Sequence, residues 1–160
     1  MSERVGIAEL RIARAPKVLK AFGLGSCLAI TLYDPGSRLG GLVHSLLPQA
    51  GRGELPEPPA KYVDVAIGLM VEELVRAGAE AARLQAKIAG GANMFESAYV
   101  TLVDSIGMRN VRSARTALAA RHIPLAGEDV GGNRGRTVEF HLASGQLLVY
   151  CARENRTKTL

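Results

Sequence analysis

The chain has 160 residues, a length for one domain and not two, and large enough to bury about two thirds of the surface its unfolded form exposes without help from disulfides. Hydrophobic residues make up 48% and charged residues 22%, a balance that excludes a disordered charged tail and fits a compact globular protein. The formal charge is +5, but residues 1–108 hold 11 basic and 11 acidic side chains while residues 109–160 hold 9 and 4, so the whole excess is C-terminal.

The opening segment MSERVGIAELRIARAPK carries charges too closely spaced for a signal peptide, and no stretch approaches the roughly 20 apolar residues of a membrane span, so the expected location is the cytoplasm with no membrane insertion. Cys27 and Cys151 stand far apart and are expected as free thiols. With only 4% aromatics and no Trp the chain has few stacking platforms, which argues against nucleic acid and favours an acidic protein as partner of the basic region. The whole of 1–160 reads as a single domain, its core spanning about 4–152 and a basic tail following at 153–160.

In chain order, Val5–Ala13 and Val18–Phe22 read as two short strands split by Ala15-Pro16. A small-residue turn, Gly23-Leu24-Gly25-Ser26-Cys27, comes next. From Leu28 the residues alternate, Leu28, Ile30 and Leu32 on one face and Ala29, Thr31 and Tyr33 on the other, up to the turn Asp34-Pro35-Gly36-Ser37. Gly40–Leu47 returns as the partner strand of a hairpin. Residues 49–60 carry three prolines and form a surface loop. Val63, Ala66, Ile67, Met70, Val71, Leu74 and Val75 then mark one face of an amphipathic helix ending near Gly78.

Leu84–Ile88 is a short strand running into a second glycine turn, Ala89-Gly90-Gly91-Ala92-Asn93-Met94-Phe95. A second helix fits 104–121, with Val111, Ala114 and Leu118 inward and Arg109, Arg112 and Arg115 on a solvated face. Strands at Pro124–Asp129, Thr137–Leu142 and Leu147–Ala152 close the sequence. Strands outnumber helices about two to one, so the class is α+β or mixed α/β with hairpins.

Cys27 follows a Gly-x-Gly-Ser turn and opens a strand, a position where successive backbone N–H groups converge and can favour a thiolate or hold an oxyanion. The competing reading is a small buried residue beside a structural turn. His44 lies on the returning strand, on the face of Leu42 and Leu46, and the hairpin brings it roughly opposite Cys27. A thiol beside an imidazole is the minimum pair for acyl transfer, although a lone His on an apolar face is more often a core residue. His122 reads as a helix-end surface residue, His141 as solvent-facing and Cys151 as packing. No His or Cys pair has metal-ligand spacing, Gly23-Leu24-Gly25 lacks the third glycine of a dinucleotide fingerprint, and no Gly-Lys-Ser/Thr follows a turn, so neither metal nor cofactor is expected.

Several blocks occur together in a specific order: Gly23-Leu24-Gly25-Ser26-Cys27, Asp34-Pro35, Gly40-Gly41-Leu42-Val43-His44 with Leu46-Leu47-Pro48, Lys87-Ile88-Ala89-Gly90-Gly91-Ala92 with Met94-Phe95, Ile106-Gly107-x-Arg109-Asn110, and Glu128-Asp129-x-Gly131-Gly132-Asn133-x-Gly135-Arg136. Over about residues 4–150 the chain thereby resembles CheD, the chemoreceptor glutamine deamidases. The resemblance implies an α+β fold, a mixed β-sandwich-like core of hairpin-connected strands flanked by two main helices and similar to deamidating-toxin catalytic domains. It implies hydrolysis of receptor glutamine amides to glutamate, Cys27 as nucleophile, His44 as acid and base, and backbone N–H groups around Gly25 and Ser26 at the oxyanion. The implied partners are methyl-accepting chemotaxis receptors and the phosphatase CheC, with Gly90, Gly91, Met94 and Phe95 as a contact surface, Phe95 being equally suited to the core. Where the family usually has a threonine hydroxyl completing a triad, this sequence has Ala21. A second reading is therefore an adaptor that binds receptors and stimulates CheC, its own chemistry secondary or lost.

Overall fold

The computed structural model describes residues 1–51, 57–94 and 105–160. Its strands are β1 (Ser2–Arg4), β2 (Leu10–Arg14), β3 (Val18–Leu24), β4 (Leu28–Asp34), β5 (Leu39–Ser45), β6 (Gln85–Gly90), β7 (Leu125–Val130), β8 (Arg136–His141), β9 (Gln146–Cys151) and β10 (Arg156–Thr159); the helices are α1 (Val63–Arg76) and α2 (Ile106–Ala120). The strands form two mixed sheets of five, ordered β1-β3-β8-β9-β10 and β2-β5-β4-β6-β7. The α+β class expected above is the one observed.

Alternation decides the layering. On β4, Leu28, Ile30 and Leu32 point toward the helices and join Val63, Ile67, Met70 and Leu74 of α1 and Val111, Ala114 and Leu118 of α2 in one apolar core. Ala29 and Tyr33 point the other way, with Leu42 of β5 and Ala89 of β6, and pack against Leu19, Ala21, Val138, Phe140 and Val149 of the first sheet. Every residue of β4 and β5 is buried, so this hairpin forms the middle layer between a sheet and a pair of helices. Each fully buried Leu or Ile there contributes about 1.5–3 kcal/mol relative to exposure. Tyr33 joins the two sheets through its hydroxyl, which donates to the Leu142 carbonyl at 2.8 Å, and through an edge-on contact with Phe140.

Of the N-terminal strand expected over Val5–Ala13 only the second half is a strand, as part of β2; Val5–Glu9 links it to β1, and the two lie in different sheets, β1 running parallel to β3 and β2 pairing antiparallel with β5. Between them the Glu9 amide donates to the Gly6 carbonyl, the Gly6 amide donates to the Glu9 carboxylate, and Ala8 takes φ 63°, so the chain turns from one layer to the other. Residues 153–160, expected as a basic tail, contain β10, an all-exposed edge strand paired with β9. Val75, expected on the buried face of α1, is 45% exposed. Both helices cover one face of the second sheet.

The acidic turn after β4 is a buried polar knot. The Asp34 carboxylate accepts two bonds from the Arg83 guanidinium at 2.8 and 2.9 Å, and further bonds from the Gly36 and Glu80 amides and the Ser37 hydroxyl. Arg83 leads these in holding the carboxyl well below its usual range.

Candidate functional site

The turn expected at Gly23–Cys27 turns out to be the crossover from the first sheet to the second, since β3 ends at Leu24 in one and β4 begins at Leu28 in the other. Cys27 is thereby delivered to the rim of the space between the sheets, half-buried. Three successive carbonyls of the turn are held by a wall of Gly91, Ala92 and Asn110: Gly25 accepts from the Ala92 amide, Ser26 from the Asn110 side-chain amide and Cys27 from the Gly91 amide, each at 2.9 Å. In a planar trans peptide the N–H points opposite to the preceding C=O, so the Ser26 and Cys27 amides face away from that wall. Burial has the larger influence on the Cys27 thiol and raises it above its ordinary value, with the residue's own backbone N–H opposing.

His44 sits directly opposite Ala29 in the β4–β5 ladder, and Leu28 opposite Ser45. Cys27 is therefore one same-face step beyond Ala29 and diagonal to His44, where the hairpin pattern had placed the two roughly opposite. Diagonal same-face neighbours in an antiparallel pair are about 7–8 Å apart at Cα, within reach of long side chains. The His44 main chain is pinned by the turn just before β2, its amide donating to the Glu9 carbonyl and its carbonyl accepting from the Ala8 amide. Its ring is buried, and among the described residues neither ring nitrogen has a hydrogen-bond partner. Burial pushes the imidazole below its usual range, with the Val5 backbone, an acceptor short of hydrogen-bond geometry, opposing it. Near neutral pH the resting pair is thus an uncharged thiol and an uncharged imidazole.

Ala21, on the inward face of β3, is fully buried in the inter-sheet core and brings no hydroxyl to the ring. Gly90 and Gly91 are buried as well and form the floor beneath the crossover. A Cβ on Gly90 would come within 2.4 Å of the Cys27 carbonyl oxygen, and one on Gly91 within 2.8 Å of the Gly107 carbonyl. Only glycine allows these approaches, at φ values of 112° and 65°. Met94 is 48% exposed and lies over Gly25, close enough that a Cβ there would stand 3.2 Å from its Cγ. With Tyr150, Gly23 and Arg153, Met94 lines an open groove of about 250 Å³ beside the crossover. Phe95 lies outside the described residues.

Two further residues shape the site. Asn110, fully buried on α2, donates to both the Ser26 and Leu46 carbonyls at 2.9 Å. Arg136 on β8 carries a buried guanidinium that donates to the Gly131 carbonyl at 2.9 Å and the Gly90 carbonyl at 3.3 Å, with the Asp129 carboxylate 3.6 Å away. Both residues close motif blocks that carried the resemblance, Ile106-Gly107-x-Arg109-Asn110 and Gly131-Gly132-Asn133-x-Gly135-Arg136, but no role was read for either; a polar Asn110 on the apolar stripe of Gly107, Val111, Ala114 and Leu118 was the available signal for the first. His122, at φ 57° just past α2, is exposed, His141 is part-exposed beside Glu139, and Cys151 is buried. Among the described residues no group of His, Cys, Asp and Glu could hold a metal ion, and no helix is long and apolar enough to cross a membrane.

The fold and the site together define a two-sheet α+β protein in which a thiol and an imidazole share the inter-sheet face at a glycine-rich crossover. The family model described as CheD chemotactic sensory transduction matches residues 46–151. A Geobacter metallireducens protein named probable chemoreceptor glutamine deamidase CheD 2 is 50% identical over 146 residues, 91% of this chain and 90% of that relative. The Thermotoga maritima chemoreceptor glutamine deamidase CheD is 44% identical over 149 residues, 93% of this chain and 91% of its own. The chain belongs to the CheD family. A crystal structure of the Bacillus licheniformis hypothetical protein YfiH shares the fold, with a TM-score of 0.50, 17% identity and coverage of 78% of this chain and 51% of that one.

Proposed function

We propose that this protein hydrolyses glutamine side-chain amides of chemotaxis receptors to glutamate, with Cys27 as nucleophile and His44 as proton carrier. The observation that carries the reading is the register that puts Cys27 and His44 on one face of the β4–β5 hairpin, diagonal to each other, with Cys27 half-buried at the crossover. The names of the relatives supply the substrate class.

A neutral imidazole is the form that accepts a proton, and the lowered basicity of His44 keeps it in that form at neutral pH. His44 takes the Cys27 proton as sulfur attacks the carboxamide carbon. The Cys27 amide, with that of Ser26 in the Gly25–Cys27 turn, donates to the developing oxyanion. The C–N bond breaks, His44 delivers its proton to the departing nitrogen, and ammonia leaves a thioester. Water deprotonated by His44 then cleaves the thioester, giving the glutamate side chain and restoring the thiol. The groove beside Met94 and Tyr150 is the surface against which a receptor helix rests while one glutamine enters, and Gly90 and Gly91 lie buried beneath the crossover, outside its lining.

Incubation of the purified protein with a receptor cytoplasmic fragment tests this: glutamine-containing peptides should gain about one dalton and ammonia should appear, with Cys27→Ala abolishing both. A specific feature favours a second reading. Ala21 brings no hydroxyl to His44, and among the described residues neither ring nitrogen has a hydrogen-bond partner. That suits an adaptor that stimulates a CheC-like phosphatase. Glutamines left intact by wild-type protein that still binds CheC would decide for the adaptor.

A further inference from the structure

We propose that Asn110 is a positioning residue for the Cys27 thiol, acting through the peptide that precedes the sulfur. The inference rests on the deamidase reading for its consequence in turnover, but its geometry stands apart from it. The last pair of the β4–β5 ladder is Leu28 with Ser45. Beyond it the strands part: the Leu46 and Leu47 amides both donate to the Lys61 carbonyl, away from β4. Asn110 fills the fork, each of its two amide protons going to a carbonyl of a different strand end, Ser26 on one side and Leu46 on the other.

The amide orientation is decided by those acceptors, because the flipped side chain would set its oxygen against two carbonyl oxygens. The cost of this arrangement is visible in the Asn110 oxygen, which is buried with no partner among the described residues. An apolar side chain would remove that cost but strand the Ser26 carbonyl, and with it the orientation of the Ser26–Cys27 peptide plane. That plane carries the N–H of Cys27 itself, one Cα away from the sulfur-bearing side chain. The helix is itself held in place for this task. Gly107, one turn earlier, packs so closely on the second glycine turn that a Cβ would come within 2.4 Å of the Gly91 carbonyl oxygen, and the Ser105 hydroxyl caps the helix by accepting from the Met108 amide.

Ser113 provides an internal control. It lies on the same face of α2 one turn on and straps the same segment, its hydroxyl donating to the Pro48 carbonyl at 2.6 Å, but it does not touch the crossover. The experiment compares wild type, Asn110→Ala, Asn110→Asp and Ser113→Ala in thermal unfolding, in the rate at which Cys27 is alkylated by iodoacetamide, read by peptide mass, and in kcat and KM for deamidation of a receptor fragment. Asn110→Asp keeps the shape and loses both donors. We expect both Asn110 variants to alkylate Cys27 several-fold more slowly and to lose about 10- to 100-fold in kcat with little change in KM, whereas Ser113→Ala changes neither. Unchanged alkylation in the Asn110 variants, an equal effect in Ser113→Ala, or failure of both Asn110 variants to fold would overturn the positioning role. Absence of deamidation by wild type would instead strike the proposed function, while the alkylation rates still judge Asn110.

Discussion

Gly90→Ala isolates the demand that the crossover places on its floor. A methyl group at Gly90 would stand 2.4 Å from the Cys27 carbonyl oxygen, with the Cys27 carbonyl carbon at 3.4 Å. Ordinary carbon–oxygen contact needs roughly 3.2 Å, so one backbone or the other must yield by the better part of an ångström. The obstacle is main chain and no rotamer relieves it. Yielding stretches the 2.9 Å bond from the Gly91 amide to the Cys27 carbonyl and carries the sulfur with it. A positive φ adds about 1–2 kcal/mol for any residue with a Cβ. Gly132→Ala separates the two effects, because Gly132 has φ 69° and open space around its would-be Cβ. For a chain of this size about 1 kcal/mol moves Tm by roughly 2–4 °C, so Gly132→Ala should lower Tm by about 2–8 °C and leave kcat/KM unchanged. Gly90→Ala should lose more stability and in addition about 100-fold in kcat/KM, the cost of misplacing a reacting atom by about 1 Å. The assays are thermal unfolding and mass-resolved deamidation of a receptor fragment. Equal kcat/KM in the two variants would refute the argument that Gly90 holds Cys27 in place.

Ala21→Thr supplies a hydroxyl to the inter-sheet core beside an imidazole that has no partner among the described residues; a higher kcat with Cys27 unchanged in exposure identifies a missing orienting group, and an unchanged rate shows that another group already fills the role. Because His44 must be uncharged to accept the thiol proton and burial holds its pKa below 6.5, kcat should decline on the acid side only below about pH 6.5, a limb that a pH–rate profile will place. The same shift bears on stability: the unfolded chain binds its proton first as pH falls, so this contribution is present above 6.5 and lost on acidification. Asp34 acts in the same direction lower down, since its carboxyl is held below the ordinary 3.8; Asp34→Asn should lose stability at pH 7 and flatten the further fall below about pH 4 in urea titrations at several pH values.

The placement of Cys27 and His44 on one face of a hairpin was legible because it depends on local pattern alone. A turn of small residues opens β4, a four-residue turn closes it, and a period of two assigns each side chain to a face. The helix over residues 63–76 was legible for the same kind of reason: a periodic apolar stripe can be buried in only one way. Two features were not. The segment over residues 5–13 has no proline to divide it, so nothing local marks the change of sheet at Gly6–Glu9; that change follows from β2 finding an open edge on β5. β10 is equally hidden, because Arg156–Thr159 is polar throughout and becomes a strand only by pairing with the already formed edge of β9.

The sequence by itself determined the α+β class, the two principal helices, the hairpin that brings Cys27 and His44 to one face, and the glycine turns on which the site is built, because each is set by residues close together in the chain. Tertiary structure alone decided that the Cys27 turn crosses between sheets and that His44 is sealed with both nitrogens unpartnered among the described residues. It also decided that Gly90 and Gly91 support the turn from beneath, and that Asn110 and Arg136, 83 and 109 residues from Cys27, fix the carbonyls around it. Those facts depend on which buried donors meet which buried acceptors after the layers close. A linear pattern records the need for a partner but not its address.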